Sequence, residues 1–230
     1  MLDLHTHALP MMDDGAKSIE KGIAMLSDAY AQGVKKCALT SHCTLFMKED
    51  VELFLSKRQK CYDEFKVALE QNREKIPEII LGAEIYADHD ISNYEGLEQL
   101  CFEGTNFILL ELPVSRDRSW LRDCVKNIKE RGMNVVVAHL DRYEKWEEVL
   151  KDLDGLNVIY QLNSSRFLTF RGKLLIKKIL KHNEKFFVSS DMHNMSSRKN
   201  TMKEAYCYVL KKYKNRAEDM FENVALSVVG

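Results

Sequence analysis

Residues 134–142 read NVVVAHLDR: three valines and an alanine in unbroken succession, then His139, then Arg142. A short apolar run without alternation is what a strand covered on both faces looks like. Helical spacing flanks it on both sides. Leu121, Cys124, Val125 and Ile128 follow i, i+3, i+4, i+7, with Gly132 closing the element. Trp146, Val149, Leu150 and Leu153 repeat the pattern, with Gly155 closing it. Helix, buried strand, helix is one winding step of a parallel α/β fold.

Six more runs of the same kind surround this one. They are LDLH near Leu2, KCALTSH ending at His42, EIILGAEI around Leu81, FILLEL from Phe107, NVIYQLNSS from Asn157 and FFVSSDMH from Phe186. Between them lie further amphipathic stretches. Ile19, Ile23, Leu26 and Tyr30 share a face, with Ser18 as N-cap and Gly33 at the end. Val51, Phe54, Leu55, Tyr62, Phe65 and Leu69 form a second stripe. Leu175, Ile179 and Leu180 mark a third, and Tyr206, Val209, Leu210 and Tyr213 a fourth. These stripes are core-facing surfaces and imply no cofactor. Seven strand-helix units predict an α/β (β/α)7 barrel, one unit short of the usual eight, with an open doubly wound sheet as the other arrangement. No linker, repeat or low-complexity segment divides residues 1–230, so one domain is expected.

Composition agrees with a globular chain. The 230 residues carry 34 Lys plus Arg against 35 Asp plus Glu, a formal net charge of −1, with 45% hydrophobic and 30% charged residues. That excludes disorder as the main state and speaks against a general nucleic-acid binder, which needs a basic excess. The opening MLDLHTH has no signal-peptide pattern, and no stretch is long and apolar enough for a membrane span, so cytoplasm is the expected location. The six cysteines show no CxxC pair and read as reduced, small hydrophobes.

Chemistry in parallel α/β folds collects at the C-terminal ends of strands. Taken in order, those ends supply His5 and His7, then His42, Glu84, Glu111, His139, the trio Asn163, Ser164 and Ser165, and finally Asp191 with His193. Any one of these histidines alone would read as structural. Five of the chain's seven histidines with three carboxylates at one mouth need a compensating charge, which divalent metals supply. Mixed imidazole and carboxylate donors suit Mn²⁺, Fe or Zn²⁺ better than Ca²⁺ or Cu(I). The ligand number exceeds one ion's demand and points to two or three. The DDG turn Asp13-Asp14-Gly15 adds one further aspartate as a candidate ligand.

Arg142 and Arg198 follow strand ends and are candidate phosphate forks. Arg116, Arg118, Arg166 and Arg171 read as solvated charges. The pair His42-Cys43 invites comparison with cysteine-dependent phosphatases, but position 49 is Glu49, and none of the six cysteines is followed by Arg at the required offset of six. No GxSxG elbow and no Walker A loop occur. A hydrolase built from these parts uses metal-activated water and forms no phosphoenzyme.

The motifs in register are HTH at His5–His7, LPMMDDG, TSH ending at His42, GAE ending at Glu84, LLEL around Glu111, AHLDR at Ala138–Arg142 and SDMHN at Ser190–Asn194. Together they resemble the polymerase-and-histidinol-phosphatase (PHP) superfamily. The likeness is greatest to the bacterial manganese-dependent tyrosine-protein phosphatases of capsule and exopolysaccharide operons. It implies a distorted TIM-like (β/α)7 barrel with a trinuclear site, most naturally of Mn²⁺. His5, His7 and Asp191 would hold one ion, Glu111 and His139 another with Glu84 bridging, and Asp14, His42 and His193 the third. Arg142 and Arg198 would bind the phosphate, and Asp14 or His42 would assist the leaving group. The implied substrate is a phosphotyrosyl protein, typically a tyrosine autokinase controlling polysaccharide assembly. Cys43 and Thr44 depart from the pattern after His42, and the loops TLFMKED and PVSRDRSW flank the entrance. The alternatives are a small-molecule phosphatase, such as one acting on histidinol phosphate, and a non-catalytic metal-binding PHP module. A nuclease would need a basic, aromatic-interleaved stripe, which is not seen.

Overall fold

The structure, a computed structural model, describes residues 1–47, 49–114 and 118–230. Its strands are β1 (Leu2–Thr6), β2 (Lys36–Leu39), β3 (His42–Thr44), β4 (Glu78–Leu81), β5 (Glu84–Tyr86), β6 (Phe107–Glu111), β7 (Asn134–Val137), β8 (Ile159–Asn163) and β9 (Lys185–Ser189). The helices are α1 (Ile19–Ala31), α2 (Asp50–Gln71), α3 (Leu121–Glu130), α4 (Trp146–Asp152), α5 (Phe170–Ile179), α6 (Met202–Tyr213) and α7 (Val224–Val229). None of these helices is long and apolar enough to cross a membrane.

The expected seven strands appear as nine, because the second and third runs each break. KCAL and HCT are separated at Thr40-Ser41, and EIIL and EIY at Gly82-Ala83. At the first break the Thr6 amide donates to the Thr40 hydroxyl at 3.1 Å, so a side chain takes over a ladder position. The two breaks stay level: Gly82 N–H donates to Leu39 O and Glu84 N–H to Ser41 O. All pairings are parallel, in a sheet of order β1-β2-β4 and a second of order β3-β5-β6-β7-β8-β9. The far end of the second sheet returns to the start of the first. Thr6 bridges Met192, Asp191 N–H donates to His5 O at 2.9 Å, and His7 N–H donates to Met192 O at 2.9 Å.

The helices follow the expected spacing with local corrections. In α3 the buried residues are Leu121, Cys124, Val125 and Ile128. In α1 Ser18 Oγ accepts the Lys21 amide, and Gly33 takes φ +95° at the end. The inward face of α1 turns toward Met25, Leu26 and Ala29, which leaves Tyr30 outward. Leu210 of α6 also points out, and in α5 Ile176 rather than Leu175 is fully buried alongside Ile179.

The core lies in two parts. The larger fills the space between strands and helices. The smaller gathers Leu2, Leu4, Ala38, Ile80, Leu109, Val136, Ile159 and Phe187, so every strand unit contributes, and Ala225, Val228 and Val229 of α7 pack against them. Sequence periodicity had assigned no element after Tyr213. With one end of the strands covered by α7, the polar residues emerge at the other.

Candidate metal centre

His5 and Glu111 stand near the ends of β1 and β6, His42 and Glu84 open β3 and β5 just after the two breaks, and His7, Asp14, His139, Asp191 and His193 lie on the loops after β1, β7 and β9. His5, His7, Glu84, His139, Asp191 and His193 are buried, while Glu111, His42 and Asp14 open progressively to solvent. Glu84 stands at the centre. Its Oε1 is 3.1 Å from His5 Nε2 and 2.9 Å from His139 Nε2; its Oε2 is 3.2 Å from His7 Nε2 and 2.9 Å from His42 Nδ1. Asp191 Oδ1 lies 3.7, 3.5 and 3.4 Å from imidazole nitrogens of His5, His7 and His193. Glu111 approaches His139 at 3.3 Å and His42 at 3.9 Å. Asp14 Oδ1 lies 3.3 Å from both His42 Nε2 and His193 Nε2.

Among the described residues, three sets of donor atoms converge closely enough to hold an ion: His7, Asp14, His42 and His193; His5, His7 and Glu84; and His42, Glu84 and Glu111. Two donors about 2.1 Å from one ion and at roughly right angles lie about 3 Å apart, the spacing seen here. His193 Nε2 is buried without a hydrogen bond, an arrangement that costs free energy unless a cation supplies the partner.

Electrostatics give the same sign. Burial works to raise Glu84, but the His5 charge and hydrogen bonds from His139 and His42 hold its carboxyl well below the usual range. Asp191 is likewise held low, against burial, by His5 and Arg142. Burial should strip the proton from His7, yet its bonds to Asp13 and Glu84 push it up to about 10. Bonds to Glu111 and Glu84 likewise lift His139 to about 9. His193, buried and facing the His7 charge, is pushed down to about 3. Without metal, the cluster gathers protons where it needs positive charge.

Outer contacts hold the donors in place, and several were not legible in advance. Asp13 Oδ2 is 2.8 Å from His7 Nδ1 and accepts the His42 amide at 3.0 Å; its Oδ1 accepts the Gly15 amide at 2.8 Å. The two aspartates of the DDG turn therefore divide the work: Asp14 faces the donor set, and Asp13 backs it. Gln161 Oε1 accepts the His139 amide at 2.6 Å and lies 3.1 Å from His5 Nδ1. Its side-chain amide donates to Asn163, which in turn donates to Asp191 Oδ2 at 3.0 Å. The only signal for Gln161 was a lone amide in an apolar run. His139 and Asp191 adopt left-handed backbone, φ +30° and +52°, strain of the sort that collects at functional sites.

Arg142 and Arg198 both reach the cluster. Arg142 pairs with Asp191 Oδ2 at 2.7 Å, and Arg198 with Asp191 Oδ1 at 3.0 Å and with Asp14 at 3.6 Å. Each is about one-third exposed. Two arginines expected to be free solvated charges have partners in the fold. Arg118 is buried, donates to Pro113 O and lies over the Tyr143 ring; Arg166 pairs with Asp141 at 2.9 Å. Arg116, within PVSRDRSW, and Lys48, within TLFMKED, lie outside the described residues. Of the trio at the end of β8, Asn163 joins the site, Ser164 bonds Thr201, and Ser165 is exposed. No cysteine is among the donors. Burial pushes the Cys43 thiol up to about 12, the opposite of what a nucleophile needs.

Tyrosine-protein phosphatase CpsB of Streptococcus agalactiae is 29% identical over 242 residues, covering 100% of this chain and 98% of that protein. Tyrosine-protein phosphatase YwqE of Bacillus subtilis is 28% identical over 222 residues, covering 92% and 84%. A chain from the crystal structures of YwqE from B. subtilis and CpsB from Streptococcus pneumoniae, described as metal-dependent tyrosine phosphatases, matches with a TM-score of 0.79. Its identity is 23%, and the match covers 97% of this chain and 95% of that one, a likeness of fold. The family model for capsular polysaccharide synthesis, CpsB/CapC, matches residues 1–228, and the chain belongs to that family.

Proposed function

We propose that this protein is a metal-dependent phosphoric monoester hydrolase that removes phosphate from tyrosine on a protein, and that its substrate belongs to capsule or exopolysaccharide synthesis, a reading the family description supports. The observation that carries this reading is the convergence of nine metal-compatible donors with Arg142 and Arg198 at one mouth. We read the two sheets as one distorted (β/α)7 barrel formed by residues 1–230, which the contacts between His5, His7 and the Asp191-Met192 segment support. The ligands we assign are His5, His7, Asp14, His42, Glu84, Glu111, His139, Asp191 and His193, holding two or three ions, with Mn²⁺ the first choice.

Divalent ions in such a site supply a nucleophilic water at neutral pH and offset charge on the phosphoryl oxygens. The protein's own groups do the rest. Arg142 and Arg198 present fork-shaped donors to the phosphate and orient it for in-line displacement. In the free protein both rest against Asp191, so substrate phosphate competes for groups already positioned. Glu84, shared among four imidazoles, keeps the donor sets at fixed separation. Phenolate, with a pKa of about 10, leaves with little help. Asp14 and His42, the aspartate and histidine of the ligand set most open to solvent, are the groups we assign to any proton it takes.

A protein substrate is favoured over a small phosphate ester by the rim. The loops after β1, β3, β6 and β9 expose Met11, Phe46 and Met47, Val114, and Met195, each 48–68% accessible. Exposed apolar groups ringing a polar centre suit a polypeptide surface and offer histidinol phosphate nothing. The substrate we expect is a bacterial tyrosine autokinase, and the compartment the cytoplasm. The test is phosphate release from a phosphotyrosyl peptide beside histidinol phosphate, with Mn²⁺ and with chelator. Chelator-sensitive release from the peptide is expected. Release from histidinol phosphate alone would move the protein to small-molecule metabolism, and silence on both would leave a metal-binding module.

A further inference from the structure

The loop after β1 and the loop after β9 enclose a cavity of about 420 Å³ beside the metal centre. Asp14 and His193 line it, so it shares a wall with the donor set His7, Asp14, His42 and His193. Lys17 stands just before α1 and Lys21 in its first turn; both line the cavity, with Met25 buried behind them and Met195 exposed at the other side. The volume lies within the range of ligand sites and exceeds what a phosphate on the metals would use. It is large enough for a side chain next to the reacting residue.

The charge of this wall is specific. Lys17 Nζ donates to the Asp13 carbonyl at 3.1 Å, which holds its ammonium over the loop that presents Asp14. Lys21 follows in the first turn of α1, and both lysines line the same cavity. Asp14 is the only acid among the described residues lining the cavity, and it is committed to the donor set. Two ammonium groups beside a metal centre attract a carboxylate and repel a cation, so they discriminate between substrates by charge.

We propose that this cavity is the subsite for a residue flanking phosphotyrosine in the substrate polypeptide, and that Lys17 and Lys21 select an acidic side chain there. The proposal rests on the phosphatase reading and adds a sequence preference to it. Substrate enters between the β1 and β9 loops, with phosphate at Arg142 and Arg198 and its acidic neighbour against α1.

The test uses Mn²⁺-loaded protein and labelled peptides carrying phosphonomethyl-phenylalanine, an uncleavable phosphotyrosine mimic, flanked on both sides by Asp or by Lys. Binding is followed by fluorescence anisotropy. The Asp-flanked peptide is expected to bind about tenfold more tightly, the sum of two exposed ion pairs. In the double variant Lys17→Glu/Lys21→Glu that ratio should fall to one or reverse, and in Lys17→Arg/Lys21→Arg it should persist. Equal affinities in the wild type, or a ratio unmoved by the charge reversal, would overturn the subsite. Cleavable versions of the same peptides test the phosphatase reading separately. A preserved acidic preference with no phosphate release would sink that reading and leave the cavity's selectivity standing.

Discussion

Asp13 Oδ2 lies 2.8 Å from His7 Nδ1, and this one contact turns the opposite nitrogen of the ring toward Glu84, 3.2 Å away. The same carboxylate oxygen accepts the His42 amide at 3.0 Å, so Asp13 holds two donor-bearing loops at once. Carboxylates behind ligating imidazoles fix the ring orientation and raise its basicity, and losing them costs roughly 10–100-fold in metal affinity or activity. Asp13→Asn should lower Mn²⁺ affinity by that factor. Equilibrium dialysis against Mn²⁺ with an assay at saturating metal checks it. Activity restored by excess Mn²⁺ identifies Asp13 as a positioning residue, whereas unchanged affinity would remove it from the site.

Arg142 and Arg198 are expected to act on the substrate rather than on metal content. Alanine at either position should lower kcat/KM for a phosphotyrosyl peptide by roughly 10²–10³, the cost of one donor aimed at developing charge. Lysine restores the charge without the planar fork and should recover only part of the loss. Metal analysis run alongside decides the role. If the ions leave with the arginine, its contact with Asp191 is structural, and the phosphate assignment fails.

Gly15 is a backbone requirement of the site. A Cβ built there would lie 2.1 Å from His7 O and 2.5 Å from His7 Cβ, and neither can move without displacing a donor. The Gly15 amide also donates to Asp13. Gly15→Ala should therefore destabilise the protein by roughly 1–3 kcal/mol, as overpacking does. It should weaken metal binding in parallel, read as a lower Tm with a larger drop for the metal-loaded form. A change in Tm alone, with metal affinity intact, would show that the DDG turn can shift without disturbing His7.

Most of the site was legible because parallel strands put their polar residues where the apolar run ends. His139 after NVVVA and Asp191 after FFVSS could be placed from the chain alone, and the structure brings both to the same cluster. What escaped was support that carries no periodic signal. Gln161 looks like an interruption within IYQLN, yet its amide oxygen ties His5 to the His139 backbone. The breaks at Thr40-Ser41 and Gly82-Ala83 were hidden because each run stays continuous in sequence while the ladder changes sheet. Arg118 and Arg166 read as solvated charges because their acceptors, Pro113 O and Asp141, are set by tertiary packing.

The metal-free protein should respond to pH in a characteristic way. His7 and His139 are raised to about 10 and about 9 in the fold, against about 6.5 for an unperturbed imidazole. A histidine with a raised folded pKa stabilises fully below about pH 6.5, and the contribution is lost as pH rises through 9 and 10. His193, pushed down to about 3, works at the acid end. There the unfolded chain takes up a proton that the fold refuses, and stability drops as pH falls below about 6.5. The Tm of chelator-treated protein should therefore decline on both sides of neutrality. Mn²⁺ must displace the protons on His7 and His139, so its affinity should rise with pH up to about 9–10, with proton release measurable in weak buffer. A flat Tm from pH 7 to 10 together with pH-independent Mn²⁺ binding would mean that these rings are already neutral. The positive charge the cluster requires would then have to come from Arg142 and Arg198, the two cations already paired with Asp191.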